Sequence, residues 1–479
     1  MIVPPWDESR LLREFQALLR RDIKNNGPMP TATNEAPQLN LAPDNSEDAI
    51  ADRFAAQHAA NWKHVAQWGT WFQWTGQVWT RDTTGKAREL ARMICRAVAA
   101  NCDRPAEARR IASDRTIAAS LRIATCDPRI ATQTSDWDAH PMLLNTSNGI
   151  IDLETGEILP NAPELMLTQM TTAAPKGDCP FWRTFLDEIT AGNEALQAYL
   201  CRLAGYCLTG STREQSFAFL HGDGANRKSV FLSTIAHVLG DYAATATLDT
   251  FMSGRGTRHL TELAGLRAAR LVMVPETEQG NSWAEGRIKT VTGGEKIRAN
   301  FMRQDHFEFT PQFKLLIAGN HRPHLSGCGE AMRRRLHIVP FDVTIPAGKR
   351  DPLLVEKLRS ERDGILRWML DGCADWQRIG LSPPDCLLDA AKEYFADEDL
   401  VGQWIAENCS VGPQLRTASK VLFANWKDWA DDVGCPAGSS KSLGEALRLR
   451  GYRPTTVNRA RGWSGVSLRH GSATEEILK

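Results

Sequence analysis

The sequence predicts an α/β fold, and three stretches predict it. Residues 216–220 form a short apolar run that reads as a buried strand. The run enters a glycine-containing loop, His221-Gly222-Asp223-Gly224-Ala225-Asn226-Arg227-Lys228-Ser229-Val230. Residues 231–239 follow, with Phe231, Leu232, Ile235, Val238 and Leu239 at helical spacing. Two further apolar strands, at 270–274 and 313–318, repeat the alternation of strand and helix.

The bulk numbers bound the rest. A chain of 479 residues suggests about three domains. Its 42% hydrophobic and 24% charged residues are ordinary for a globular protein. The formal net charge is zero, so any nucleic-acid surface must be local. The 11 cysteines are scattered without a C-x-x-C pair, which argues against a disulfide framework or a zinc site and for a reducing cytosol. The first residues lack a basic segment followed by an apolar core, so no signal peptide is expected. No run of 18 apolar residues would cross a membrane.

Residues 1–48 read as a linker-like tail, with a short charged helix at 7–24 and a Pro- and Asn-rich stretch after it. An α+β accessory region is expected over 49–172. It opens with an Ala-rich helix up to residue 59. Trp62, Trp68, Trp71, Trp74 and Trp79 then crowd into eighteen positions. Residues 71–79 read as a hairpin turning at Thr75-Gly76. Core packing is the ordinary use of such tryptophans, and a stacking platform for single-stranded bases is the alternative. Helices are expected at 86–100 and 105–125, a second hairpin at 149–159, and a helical segment over 181–208.

The glycine loop has the layout of a phosphate-binding loop: strand, loop, Lys-Ser, helix. Its amides and the helix N-terminus would face phosphates, so Gly222 to Val230 are candidate nucleotide contacts. Lys228 would reach the β and γ phosphates, and the Ser229 hydroxyl would bind Mg²⁺. Arg227 stands where the usual spacing has its second glycine, so a side chain replaces bare backbone. About 45 residues on, the strand at 270–274 leads to Glu276 and Glu278. One such carboxylate can hold a metal through water and another can orient the attacking water. Asn320, at the end of the 313–318 strand, can hold that water or sense the γ phosphate. Residues 283–290 read as a helix, and 296–302 and 307–309 as strands joined by the polar turn 303–306. Arg333-Arg334-Arg335 precede another apolar strand; in a ring of subunits such arginines can reach a neighbour's nucleotide.

Beyond a helical stretch at 353–379, helices are expected at 385–394, 399–408, 416–432 and 442–449. A hairpin over 452–468, centred near Arg461-Gly462, would close the chain. Helices plus a terminal hairpin suggest a winged-helix-like domain over 381–479. Residues 441–470 hold seven Lys or Arg against Glu445 alone, a local footprint for DNA contact. Arg448, Arg450, Arg459 and Arg461 are the candidate contacts.

The ordered set resembles the superfamily 3 helicases, a branch of the AAA+ fold, and more closely the C-terminal part of the phage/plasmid primase–helicase family related to the poxvirus primase–helicase. The stretches that carry it are GDGANRKS at 222–229, RLVMVPETE at 270–278, TGGEKIRANFMRQDHFEF at 292–309, FKLLIAGNHRP at 313–323 and RRRLHIVPF at 333–341. The similarity reaches upstream to LLNTSNGIIDLETG at 143–156 and covers roughly residues 51–410. It implies an AAA+ type P-loop NTPase core over 173–380 that uses ATP and Mg²⁺. Lys228 and Ser229 then serve triphosphate and metal, Glu276 leads the metal-linked chemistry with Glu278 beside it, and Asn320 is the sensor. Arg334, with Arg335 second, becomes the finger acting across a subunit interface. The 296–309 hairpin, with Lys296, Arg298, Arg303 and His306, becomes the DNA-translocating element. The implied activity is 3′–5′ unwinding of DNA by a hexameric ring, in the cytoplasm of a bacterial host. Its partners are single-stranded and forked DNA, further copies of the chain, and a separate primase or origin-binding protein, with no membrane. Primer synthesis by this chain is not expected. The Arg227 departure motivates the alternative, a nucleotide-gated DNA-binding ring, loader or scaffold with weak turnover.

Overall fold

The structure, a computed structural model, describes residues 42–253, 260–275, 282–300, 306–325, 330–346, 348 and 350–469. Its contacts divide the chain into two units, one holding residues up to 56 and 88–124, the other 57–87 and 125–479.

The first unit is built on helices α1 (Glu47–His58), α2 (Lys86–Ala100), α3 (Pro105–Ile111) and α4 (Asp114–Ala124). The expected 105–125 helix is thus broken at Ala112-Ser113. Ile50, Phe54, Cys95, Ile111 and Ile117 are buried there.

In the second unit, β1 (Trp62–Val65), β2 (Thr70–Trp74), β3 (Trp79–Arg81) and β4 (Ala131–Thr132) form a sheet of order β3-β2-β1-β4. The expected hairpin forms, but it pairs Trp74 with Trp79 across residues 75–78, so β3 begins two residues later than a turn at Thr75-Gly76 alone would place it. Its tryptophans pack as a core. Trp79 and Trp137 are buried, their ring centroids 5.7 Å apart, and Phe72 lies 4.5 Å from Trp137. The Trp79 indole donates to the Pro163 carbonyl at 2.8 Å. Strands β5 (Leu143–Thr146), β6 (Gly149–Asp152) and β7 (Ile158–Leu159) form a meander that contains the second hairpin.

The 181–208 segment is two helices, α5 (Pro180–Ile189) and α6 (Glu194–Tyr206). Ala191 and Gly192 turn left-handed between them, and the Asn193 side chain caps α6 by accepting from the Leu196 amide.

The central sheet contains β8 (Phe217–His221), β9 (Ala243–Thr245), β10 (Leu271–Val274), β13 (Lys314–Gly319) and β14 (Leu336–Pro340), the intervening hairpin being β11 (Ile297–Ala299) and β12 (Phe307–Phe309). Its order is β14-β8-β13-β10-β9, with every pairing parallel. Both faces are covered, which explains the unbroken apolar runs. Phe217, Phe219, Leu315, Ile317, Leu336 and Ile338 enter the core on one face. Ala218, Leu220, Leu316, Ala318 and Val339 enter the core on the other, where α5, α6 and α7 (Lys228–Leu239) pack. Strand periodicity of two assigns the residues to their faces. Helix α8 (Glu285–Thr292) packs its Ile288 and Val291 with the first of these cores.

Helices α9 (Leu354–Ser360), α10 (Arg362–Ile379) and α11 (Asp385–Asp397) lead to the C-terminal part. There α12 (Leu400–Asn408), α13 (Ser419–Val433) and α14 (Ser440–Leu449) pack on β15 (Cys409–Ala418), β16 (Arg453–Val457) and β17 (Ala460–Leu468), in order β15-β17-β16. Trp404, Leu422, Trp426, Leu447, Trp463 and Val466 form the core. Two elements differ from the sequence expectation. Strand β15 occupies part of the expected 416–432 helix. The terminal hairpin turns at Asn458-Arg459, both left-handed, and not at Arg461-Gly462. Among the described residues no helix is long and apolar enough to cross a membrane.

Candidate functional site

The order of the central sheet places the carboxyl ends of β14, β8 and β13 side by side. A switch in strand order at such ends opens a crevice where ligands bind. The glycine loop leaves β8 there and becomes α7 at Lys228. Asn320 follows β13 directly, and Phe341 follows β14.

Lys228 is the centre of the arrangement. Its side chain is buried, and its Nζ donates to the Gly222 carbonyl at 2.6 Å, to Asn226 Oδ1 at 3.0 Å and to Asn320 Oδ1 at 3.0 Å. The Asn226 amide in turn donates to the Phe341 carbonyl at 2.9 Å. The loop is also tied from outside: the Ile345 amide donates to the Ala225 carbonyl at 3.1 Å. The lysine charge is held at the loop by oxygens that an incoming phosphate can replace. Asp223, Gly224, Ala225 and Ser229 are exposed, so the Ser229 hydroxyl is available at the mouth.

A cavity of about 310 Å³ opens over this loop. It is lined by residues 224–230, by Gly319 and Asn320, and by Ile345 and Arg350. Burial, with the charges of Arg322 and Lys228, lowers the pKa of His221 at the end of β8, so its imidazole stays neutral near pH 7. The buried amine, the exposed loop and the Ser229 hydroxyl suit a phosphate-bearing ligand with a hard cation. Glu276 and Glu278 lie outside the described residues.

Arg227 has φ 63° and ψ 17°, and its guanidinium forms an ion pair with Glu188 of α5. Arg335 is buried: its guanidinium donates to the Ala331 carbonyl at 3.0 Å and to Gln215 Oε1 at 3.4 Å. Arg334 is exposed. On the β11–β12 hairpin, Ile297 and Ala299 are buried while Lys296, Arg298 and His306 are exposed; Arg303 lies outside the described residues. Arg298 stands opposite Glu308 in the pairing.

In the C-terminal part Arg448, Arg459 and Arg461 are exposed, Arg459 at the hairpin turn. Arg450 is used within the fold. It donates to the Ala446 carbonyl at 2.9 Å and forms an ion pair with Asp399, the N-cap of α12. Glu188, Arg350 and the Phe341 carbonyl were not legible as parts of the site. Glu188 and Arg350 belong to no motif, and the nearer of them lies 40 positions from Lys228; Phe341 ends the 333–341 stretch, but its role there is played by a backbone carbonyl, which no residue type announces.

Residues 48–191 match the model described as "D5 N terminal like", and residues 220–335 match a family of unknown function, DUF5906. A protein named "Putative helicase L207/L206", of Acanthamoeba polyphaga mimivirus, is 24% identical over 323 residues, which is 61% of this chain and 33% of that one. The chain is similar to several viral proteins whose names read "Putative helicase". A second, 022R of Frog virus 3, is 23% identical over 50% of this chain, and 121R of Invertebrate iridescent virus 3 is 25% identical over 47%. The chain spans only 33%, 26% and 25% of these three relatives. A solved structure, the A form of the apo C-terminal region of NrS-1, aligns over 88% of this chain and 99% of that one, at 9% identity and a TM-score of 0.46.

Proposed function

We propose that this chain is an ATP-driven DNA helicase, working as a hexameric 3′–5′ ring in the replication of a phage, prophage or plasmid. The observation that carries the proposal is the meeting of Lys228 with Asn320 at the carboxyl ends of adjacent parallel strands. Similarity to the viral proteins named "Putative helicase" supports it.

Phosphoryl transfer needs positioning and charge neutralisation more than covalent help. Lys228 supplies a buried cation, and the carbonyl and amide oxygens it meets among the described residues are weaker partners for it than a phosphate. Asn320 would turn its amide from the lysine to the water or terminal phosphate. Mg²⁺, held by Ser229 with Glu276, would neutralise charge on the phosphates. The exposed Arg334 is the finger candidate for a neighbouring subunit, because Arg335 is committed inside its own chain. Lys296, Arg298 and His306 would follow the DNA backbone in the ring. The C-terminal helices and hairpin would act as a winged-helix-like DNA-binding domain.

The test is ATP hydrolysis by the purified chain with and without single-stranded DNA, beside Lys228→Ala. DNA-stimulated turnover that falls at least about a hundredfold in the variant is expected, as for loss of a principal charge stabiliser. Turnover equal in both chains overturns the proposal. Arg227 motivates a second reading, a nucleotide-gated DNA-binding ring with weak turnover. A large gain of turnover in Arg227→Gly would favour it.

A further inference from the structure

We infer that Arg227 and Glu188 form a clamp that holds the phosphate loop in its binding conformation before nucleotide arrives. The inference rests on the nucleotide reading above and assigns Arg227 a positioning role within it.

Position 227 is left-handed, with φ 63° and ψ 17°. Glycine adopts that backbone freely, whereas a residue with a Cβ does so only when its surroundings hold it there. Ala225, two positions earlier, is also left-handed, at φ 62°. The loop therefore carries two side-chain-bearing residues in a conformation that opposes them, one of them directly before Lys228. Something must hold this shape.

Glu188 is the group placed to do so. The guanidinium of Arg227 is drawn onto its carboxylate, and the Arg227 side chain is only 11% exposed. Glu188 sits on α5, whose Trp182, Phe185, Leu186 and Ile189 are anchored in the core beside the sheet. A helix packed into the core thus grips the loop at Arg227. Lys357 and the Leu353 amide lead the causes that lower the pKa of Asp351, and Arg227 is the least of them. With its guanidinium paired to Glu188, Arg227 is assigned a positioning role and not that of a phosphate ligand. Its carbonyl meanwhile accepts from the Phe231 amide at 3.0 Å, opening the first turn of α7. The side chain that seemed to spoil the loop is the handle by which it is fixed.

The experiment is a double-mutant cycle of Glu188→Gln and Arg227→Gly. It has two readouts: ATP affinity, and amide hydrogen exchange of residues 222–230 without nucleotide. In the unsubstituted background, Glu188→Gln should weaken ATP binding about tenfold, the scale of a lost charge-assisted contact. It should raise KM for ATP with kcat within about twofold, because the clamp acts on ground-state binding. Exchange in the loop should quicken. In the Arg227→Gly background the same change should alter affinity by less than about twofold, since glycine needs no holding. Equal effects in both backgrounds overturn the clamp. Tighter binding in Glu188→Gln overturns it too, because it would make Arg227 a phosphate ligand that Glu188 restrains. If the unsubstituted chain binds no ATP, the nucleotide reading fails, and the exchange cycle alone decides whether the clamp exists.

Discussion

Gly222 is the more crowded of the two glycines in the loop between β8 and α7. A Cβ there would lie 2.2 Å from the Phe341 carbonyl oxygen and 2.5 Å from the Asn226 amide nitrogen. Backbone cannot yield as a flexible side chain can, so Gly222→Ala should cost about 1–3 kcal/mol of stability, the usual cost of overpacking. It should also weaken nucleotide binding, because Asn226 both touches Phe341 and accepts from Lys228. Gly224 is the control. Nothing lies within 4 Å of a Cβ placed there, so Gly224→Ala should change stability by no more than about 0.5 kcal/mol. Urea unfolding of the two variants checks both. At this scale the sequence was legible where chemistry is local. Lys228, Ser229 and the glycines announce themselves by spacing along eight residues. The partner that explains Arg227 does not, because Glu188 precedes it by 39 positions and only the fold brings them together.

Individual elements were legible in proportion to how evenly their faces are buried. The strands of the central sheet are covered on both sides, and their apolar runs stood out. Strand β15 did not. Most of its residues are exposed or half-buried, it contains Gly412-Pro413, and its pairing with β17 slips between Val411 and Arg416. Proline in a sheet is confined to such edge and bulge positions, so the stretch carries little strand signal. Gly462 misled for a related reason. It read as a turn residue, yet it lies within β17, where a Cβ would meet the Thr417 carbonyl at 2.6 Å. The two-residue turn falls to Asn458-Arg459, in the left-handed conformations such hairpins need. One element also predicts a pH response. His337 of β14 faces Tyr199 of α6 with 2.8 Å between Nδ1 and the hydroxyl, and burial lowers its pKa to about 4. The folded chain therefore keeps this imidazole neutral where the unfolded chain takes up a proton. Stability from this group is full above pH 6.5 and declines as pH falls toward 4, by about 2 kcal/mol between pH 7 and pH 5. Urea midpoints at those two values should differ less in His337→Gln than in the unsubstituted chain. An equal difference would show that other groups carry the acid sensitivity.

For the whole molecule, a net charge of zero conceals an uneven distribution. The basic excess after residue 440 was plain in the sequence, but the division of labour within it was not. Seven cations there read alike in a string, whereas the fold uses them differently. Arg450 is bound to Asp399, and Arg469 donates to the carbonyls of Ala406, Glu407 and Cys409 at the end of α12. Basic groups satisfy helix C-termini in this way. Arg448, Arg459 and Arg461 remain exposed, the first with its guanidinium 5.9 Å from the Trp463 ring centre. If these three meet DNA phosphates, each releases counterions on binding. Replacing all three by alanine should then reduce the slope of log affinity against log salt for single-stranded DNA by about 2. Arg450→Ala should behave oppositely. It leaves Asp399 without its guanidinium partner, so the unfolding midpoint should drop while the salt slope changes by less than about 1. Titrations over a range of salt, with urea melts of the same proteins, separate the two kinds of arginine. An unchanged slope in the triple variant would place the DNA contact elsewhere on the chain, with the β11–β12 hairpin the next surface to substitute.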